Sequence, residues 1–93
     1  MILSFRTKET RKIFDGEASR KIPGEIQALA RRKLRMLNNS STLKDLMVPP
    51  SNCLEPLSKE RKGQYSIRIN EQWRICFQWA DGHASLVEIV DYH

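Results

Sequence analysis

The chain has 93 residues, enough for one modest hydrophobic core and too few for a separate cofactor-binding domain. Hydrophobic residues make up 40% of it, and no apolar run approaches the roughly 20 residues that a membrane-spanning helix needs, which excludes such a span. Sixteen Lys and Arg against eleven Asp and Glu give a net charge of +5. This charge favours association with a polyanion, although many small basic domains bind no nucleic acid.

Residues 1–6 contain only a short apolar stretch and lack the cleavage site of a secretory signal, so we expect a cytoplasmic location. Cys53 and Cys76 could pair only with each other, and their spacing matches no metal-ligand pattern. We therefore expect two free thiols in a reducing compartment, no metal and no cofactor. Residues 1–93 are expected to form a single domain.

The N-terminal half is predicted to contain a short strand followed by helices. Residues 2–6 show the alternation of a strand, and Thr7 can cap a helix that includes residues 10–14 and ends at Gly16. Pro23 then suits the first turn of a second helix, which residues 38–41 end. Thr42 begins a further brief helical turn through Leu43, Leu46 and Met47.

The second helix is strongly amphipathic. Its apolar residues recur with the period of an α-helix and are Ile26, Leu29, Ala30, Leu34 and Leu37. Its polar side carries four basic residues, Arg31, Arg32, Lys33 and Arg35. Such a side is more often solvated than bound to nucleic acid, and both interpretations stay open.

Three strands are predicted in the C-terminal half, at residues 64–69, 73–79 and 84–92. They follow a loop at residues 49–52 and an irregular segment at residues 54–63. Asp81-Gly82 is typical of a type I′ hairpin turn. This turn predicts that Phe77 pairs with Leu86, Ile75 with Glu88, and Arg74 with Ile89.

A three-residue loop at residues 70–72 is predicted to join the first two of these strands. With this register, the side chains facing the helices are Tyr65, Ile67, Ile69, Trp73, Ile75, Phe77 and Trp79. The opposite face then gathers polar side chains, namely Ser66, Arg68, Arg74, Cys76, Gln78, Asp91 and His93. Because side chains alternate between the two faces of a strand, Tyr92 is expected on the helix side, unless the end of the chain twists. Arginines on an open sheet face need charge compensation, so this face is either a salt-bridged surface or an anion site.

Cutting RNA without a metal needs a base for the 2′-hydroxyl, a cation for the phosphorane and an acid for the leaving 5′-oxygen, and the sequence contains a candidate for each. Glu55 is the candidate base if its segment lies beside the sheet. Arg74 suits the phosphate because its planar fork matches two oxygens, and Arg68 can assist. His93 is the candidate acid because imidazole titrates near neutrality. A solvated carboxylate and a frayed terminal histidine are the alternatives.

Four segments of the chain carry a family resemblance: ILSF at residues 2–5, GQYSIRIN at residues 63–70, WRICF at residues 73–77 and VEIVDYH at residues 87–93. With them, nearly the whole chain resembles the RelE superfamily of toxins from bacterial toxin-antitoxin pairs, and its ends resemble the HigB branch. This resemblance implies a microbial-RNase-like α+β fold, a small and largely antiparallel twisted sheet with two to three helices on one face.

The resemblance also implies a function, cleavage of messenger RNA in the ribosomal A site. It implies a cognate antitoxin, commonly a helix-turn-helix (HigA-like) protein in this branch, with DNA reached only through the antitoxin complex. Residue by residue, Arg74 matches the phosphate-binding arginine, and Asp91, Tyr92 and His93 match the catalytic tail.

Two positions depart from the HigB pattern. Glu55 stands where HigB proteins commonly have a histidine, and Ser58 stands where a lysine would follow. The Glu-Pro-Leu segment resembles instead the YoeB branch, whose glutamate is assigned as the general base. Without the lysine one phosphate contact is lost, so we expect modest activity. The basic helix side and a second group, Lys59, Arg61 and Lys62, are assigned to ribosomal RNA.

The sequence also raises two alternatives to an endoribonuclease. A non-catalytic module could bind RNA or the ribosome with the same arginine face, and it would tolerate the loss of His93. A DNA-binding regulator fits poorly, because no helix-turn-helix spacing is visible in the sequence.

Overall fold

The computed structural model describes residues 1–57 and 63–91. Its helices are α1 (Lys8–Phe14) and α2 (Gly24–Asn39), followed by two short 3₁₀ helices (Leu43–Met47 and Pro50–Asn52). Four strands form one antiparallel sheet in chain order: β1 (Glu55–Pro56), β2 (Gln64–Arg68), β3 (Trp73–Ala80) and β4 (His83–Asp91). The predicted α+β class is confirmed. Among these helices none is long and apolar enough to cross a membrane.

The N-terminal segment does not form the regular strand that its alternation predicts. It runs parallel to β4 and joins it through two isolated bridges, Ile2 with Ala84 and Phe5 with Val87. Between the bridges, the backbone N–H of Leu86 donates to the hydroxyl of Ser4 at 2.9 Å instead of to a backbone carbonyl. The hydrogen-bond ladder is therefore interrupted by a side-chain contact.

Local capping defines the two α-helices. The hydroxyl of Thr7 accepts the backbone N–H of Thr10 at 3.2 Å, so α1 begins at Lys8, before the residues predicted to be helical. Gly16 follows α1 with a φ of 90°, which a glycine adopts without strain. The predicted cap at Thr7 and the end at Gly16 are both confirmed.

The apolar side of α2 packs against one face of the sheet. Its buried apolar residues, Ile26, Ala30, Leu34 and Leu37, join a core that includes Ile67, Ile75, Phe77, Val87 and Ile89. Each buried Ile, Leu, Val or Phe side chain of this core contributes about 1.5–3 kcal/mol. Amphipathic spacing therefore identified the helix face that holds the fold together.

The basic side of α2 is not a uniformly solvated face. Lys33 is only 8% exposed, and Nε of Arg31 donates to the backbone carbonyl of Ile13 at 2.8 Å. Arg32 and Arg35 remain exposed. The interpretation of this side as solvent-facing or RNA-facing is thus wrong for Lys33, because α2 turns that position toward the second 3₁₀ helix.

Two predictions for residues 49–63 are also corrected. Pro50–Asn52 is a 3₁₀ turn and not the loop that the sequence predicts, with the backbone N–H of Asn52 donating to the carbonyl of Pro49 at 3.0 Å. Glu55–Pro56 is a short edge strand, with Glu55 paired with Ser66. The edge strand forms because β2 offers it unpaired backbone groups, a long-range cause that local sequence does not reveal.

The β2–β3 hairpin has the predicted register. Tyr65 lies opposite Phe77 and Ile67 opposite Ile75, and the N–H of Ile69 donates to Trp73 at 2.9 Å. The turn at Asp81-Gly82 has φ angles of 53° and 79°, as a type I′ turn requires.

Next to the turn, the β3–β4 pairing has the register that a two-residue turn predicts, with Gln78 opposite Ser85 and Trp79 opposite Ala84, and beyond a bulge it differs from the prediction by one residue. The bulge lies between Cys76 and Gln78, so that the observed pairs are Ile75 with Ile89, Arg74 with Val90, and Cys76 with Glu88. The predicted pairs Ile75 with Glu88 and Arg74 with Ile89 are wrong, and Phe77, predicted opposite Leu86, lies at the bulge itself. A one-residue slip exchanges the two faces of a strand.

The bulge has a clear energetic reason. In the predicted register, Glu88 would face the helices, where a buried carboxylate needs compensation. In the observed register, Val87 and Ile89 enter the core and Glu88 faces away from it. The same slip places Asp91 opposite Trp73, on the helix side of the sheet end, so grouping Asp91 with Arg68 and Arg74 on one face is wrong.

Candidate active site

Arg74 is the centre of the open face, which is the side of the sheet turned away from the helices. It is only 8% exposed. Its Nε donates to the hydroxyl of Ser66 at 2.9 Å, and its Nη2 donates to the carbonyl of Cys53 at 2.6 Å. Its Nη1 lies 3.9 Å from Oε1 of Glu55. These contacts fix the plane of the guanidinium group before any ligand arrives.

Glu55 reaches this site because it is part of the sheet. It pairs with Ser66, which in turn pairs with Cys76, so the three side chains form a row on the open face. The side chain of Glu55 is 54% exposed. Its carboxylate is thus both beside Arg74 and open to solvent, as a group that exchanges protons with a ligand must be.

Arg68 lies directly opposite Arg74 in the β2–β3 ladder. Like charges in this cross-strand position destabilise a sheet. The pair therefore concentrates positive charge on the open face at a cost to stability, which an anionic ligand would offset.

A second ion pair on the open face escaped the sequence prediction. Nε of Arg6 lies 3.5 Å from Oε1 of Glu88, which is opposite Cys76. Arg6 reaches this point because the Phe5–Val87 bridge aligns the N-terminal segment with β4. The alternation of apolar Val87 and Ile89 around Glu88 was the signal that could have placed this carboxylate outside the core.

A buried polar cluster lies behind the segment that carries Cys53. Nζ of Lys33 donates to Oδ1 of Asn52, and Nδ2 of Asn52 donates to the carbonyls of Leu46 at 3.1 Å and Val48 at 3.4 Å. Burial lowers the pKa of the Lys33 ammonium group below its usual value, and the charge of neighbouring Arg32 lowers it further. The cluster holds the 3₁₀ turn that precedes Cys53.

The predicted site residues divide into three groups. The structure brings together Glu55, Arg68 and Arg74 on the open face. It places Asp91 on the other face, where Oδ2 accepts a hydrogen bond from Nε2 of Gln72 at 3.1 Å. The remaining candidates lie outside the described residues: Lys59, Arg61, Lys62, Tyr92 and His93.

Comparison with known sequences identifies the family. The profile of HigB-like toxins, described as RelE-like toxins of the type II toxin-antitoxin system HigB, matches residues 3–93. The chain belongs to this family. Toxin HigB-1 from Vibrio cholerae is 40% identical to this HigB-like toxin over 85 residues, which cover 90% of each chain. Endoribonuclease HigB from Proteus vulgaris is 28% identical over 93 residues, which cover 100% of both chains.

Solved structures support the fold of this HigB-like toxin. YafQ from E. coli superposes with a TM-score of 0.65 at 15% identity, covering 98% of this chain and 91% of YafQ. A chain of the YoeB-YefM complex from Staphylococcus aureus superposes with a TM-score of 0.61 at 16% identity, covering 100% and 96% of the two chains. At such identities the likeness shows the fold alone, and it confirms the predicted RelE-like fold.

Proposed function

We propose that this HigB-like toxin is an endoribonuclease that cuts messenger RNA in the ribosomal A site, with its active site on the open face around Arg74. The observation that carries the proposal is the anchored guanidinium of Arg74 beside the exposed carboxylate of Glu55. The Proteus vulgaris relative, which bears the name endoribonuclease, supports the same reaction class.

The proposed reaction uses the chain's own side chains and no metal ion. Glu55 takes the proton of the 2′-hydroxyl, and the resulting oxygen attacks phosphorus. The bond from phosphorus to the 5′-oxygen breaks, leaving a 2′,3′-cyclic phosphate and a 5′-hydroxyl, which receives its proton from His93. Arg74 and Arg68 stabilise the negative charge that grows on the phosphorane.

Arg74 is suited to this role because its donors are already oriented. Such pre-organised donors act without reorganising during the reaction, and removing one typically lowers kcat by about 10²–10³. The match to the family assigns Asp91 and Tyr92 to the catalytic tail, and because Asp91 lies on the helix side of the sheet, we propose that it supports the tail without contacting the phosphate. Because Ser58, which lies outside the described residues, replaces a lysine, we propose lower activity than in lysine-bearing relatives.

We further propose that ribosomal RNA is contacted by exposed basic residues, namely Arg32 and Arg35 on α2 together with Lys59, Arg61 and Lys62. Such contacts are directed to phosphate and do not read sequence, so binding weakens steeply with salt. We propose that the toxin acts on ribosomes in the cytoplasm.

As a type II toxin, the chain has an antitoxin partner. We propose that this partner is a helix-turn-helix (HigA-like) protein and that DNA is bound only through the toxin-antitoxin complex. The genomic neighbourhood provides the test. A short adjacent reading frame that encodes such a protein, and whose co-expression restores growth, is the expected result, and an unrelated neighbour with no such effect would contradict the proposal.

The alternative function is a module that binds RNA or the ribosome without cutting it, favoured by the two paired arginines, Arg68 and Arg74. Inducible expression of the wild type, Arg74→Ala and His93→Ala in cells tests the two functions. Under the endoribonuclease proposal both variants lose growth inhibition and message cleavage. Full growth inhibition by His93→Ala, without cleaved message, would favour the binding module.

A further inference from the structure

The buried pair formed by Lys33 and Asn52 is connected to the open face through the chain itself. Asn52 is completely buried and accepts from the Lys33 ammonium group. The next residue, Cys53, has a φ of 45°, in the left-handed region that a non-glycine residue rarely occupies. In this conformation its carbonyl accepts the hydrogen bond from Nη2 of Arg74 at 2.6 Å.

We propose that Lys33 and Asn52 are positioning residues for Arg74, holding the segment whose Cys53 carbonyl orients the guanidinium group. The inference rests on the proposed function, because it assigns Arg74 the role of stabilising the phosphorane. Neither Lys33 nor Asn52 touches the reacting atoms in this account. They act through the position of one carbonyl oxygen.

The hydrogen bonds of Asn52 couple the position of its side chain to that of the Cys53 carbonyl. Its amide group donates to the carbonyls of Leu46 and Val48, and its backbone N–H donates to Pro49, so it joins both 3₁₀ helices. Cys53 N–H donates to Pro50 at 3.0 Å and closes the turn. A shift of Asn52 therefore moves the Cys53 carbonyl with it.

Burying a lysine ammonium group costs free energy that an apolar side chain of similar volume does not cost. A buried charge must be compensated, and apolar residues of similar volume often serve stability as well or better. Here the ammonium group supplies a directed donor to Asn52 at the cost that its lowered pKa reflects. A directed donor is useful where a carbonyl oxygen must be held within a fraction of an ångström.

A first experiment measures the position of Arg74 without relying on activity. In the Lys33→Met protein, which keeps an unbranched stem but lacks the donor, we expect the Nε–H NMR signal of Arg74 to shift and to exchange faster with water. Gln27→Ala is the matched control, because it removes donors to the Ser19 and Ile22 carbonyls in the α1–α2 loop. An Arg74 signal unchanged in Lys33→Met, or equally changed in Gln27→Ala, would overturn the proposal.

A second experiment measures coupling between the residues during cleavage. Single-turnover rates on ribosome-bound message are compared for the wild type, Lys33→Met, Arg74→Ala and the double variant. Misplacement of Arg74 is expected to lower the rate about ten- to a hundredfold in Lys33→Met, with KM changed less than about twofold. In the Arg74→Ala background, the same substitution is expected to change the rate less than about twofold.

Equal losses in the two backgrounds would show that Lys33 acts independently of Arg74 and would overturn the proposal. Should Lys33→Met not fold, Asn52→Asp takes its place, since it keeps the shape and the acceptor for Lys33 but loses both donors to Leu46 and Val48. A wild-type protein that cuts no RNA would overturn the proposed function instead, and the Arg74 signal would still decide whether Lys33 positions that side chain.

Discussion

The carboxylate of Glu55 lies 3.9 Å from Nη1 of Arg74, although the whole of strand β2 separates their backbones. The two side chains meet above Ser66, which is paired with Glu55 and hydrogen-bonded to Arg74. This relationship places a solvent-exposed proton acceptor next to a largely buried, oriented cation on one face of the sheet. It is the arrangement from which the proposed cleavage reaction follows.

Replacing Glu55 by Gln is expected to lower cleavage by about 10²–10⁴, because the amide cannot accept the 2′-hydroxyl proton. RNA binding should be retained or strengthened, since a negative charge beside the phosphate site is removed. Single-turnover cleavage and fluorescence anisotropy measure the two effects. Glu17→Gln, an exposed substitution with the same charge change, serves as the control, and an unchanged cleavage rate in Glu55→Gln would exclude Glu55 as the base.

Replacing Arg74 by Lys keeps the charge but removes the planar fork that binds Ser66 and Cys53. We expect cleavage to fall at least about 10²-fold. The free energy of unfolding should fall by about 1–3 kcal/mol, because the buried hydroxyl of Ser66 and the carbonyl of Cys53 lose their donors. Urea unfolding and cleavage assays measure these losses against Arg20→Lys, which changes an exposed residue between α1 and α2. A fully active Arg74→Lys protein would contradict the assigned role.

Arg68 is expected to contribute one phosphate contact to RNA binding. In Arg68→Ala the slope of log binding constant against log salt concentration should become shallower by about 0.7, the value for one phosphate on a single strand. Titrations of a short RNA at several salt concentrations measure the slope. Arg11→Ala, on the exposed part of α1, should leave it unchanged, and an Arg68→Ala slope equal to that of the wild type would remove Arg68 from the site.

Asp45 is expected to make stability depend on pH in the acid range. Hydrogen bonds from the backbone N–H groups of Ser41, at 2.9 Å, and Thr42, at 3.1 Å, lower the pKa of Asp45 below 3.8. A carboxyl group with a lowered folded-state pKa stabilises the protein fully above its unfolded pKa and loses that contribution as pH falls through the folded value.

This expectation is tested by comparing the wild-type protein with the Asp45→Asn variant. The difference between their free energies of unfolding should be constant near neutral pH and shrink below pH 3.8. Urea unfolding across this range measures it. A difference that grew with acidification would show that the capping box of Thr42 and Asp45 does not act through the ionised carboxylate.

Leu86 is the residue that the β4 bulge holds in the left-handed region, with a φ of 52°. Glycine adopts this conformation freely, so Leu86→Gly should leave the free energy of unfolding within about 1 kcal/mol of the wild type. A β-branched residue resists it, so Leu86→Val should cost about 1 kcal/mol or more. Urea unfolding measures the free energy of unfolding of both variants. A valine variant more stable than the glycine variant would contradict the bulge geometry.

The sequence predicted those features whose causes are local. The hydroxyl of Thr7, the turn at Asp81-Gly82 and the apolar spacing of α2 each act within a few residues, and each is confirmed. The family resemblance added the fold class. Motifs that carry their own hydrogen bonds or dihedral preferences are readable without knowledge of distant partners.

The sequence failed where the cause lies in a distant part of the chain. The bulge at Leu86 depends on keeping Glu88 out of the core, and the burial of Lys33 depends on Asn52 in a later turn. The strand at Glu55 is too short to show a pattern and exists because β2 pairs with it. For the site, Arg68 and Arg74 were placed correctly from hairpin register, whereas Asp91 was placed on the wrong face.

The central claim is that the open face around Arg74 cuts messenger RNA on the ribosome. The most direct test adds purified wild type or Arg74→Ala toxin to ribosomes stalled on a defined message and maps the new 3′ ends. We predict cuts within the A-site codon with the wild type and at least about 10²-fold less cleavage with Arg74→Ala at equal toxin concentration. Equal cleavage by both proteins would contradict the claim.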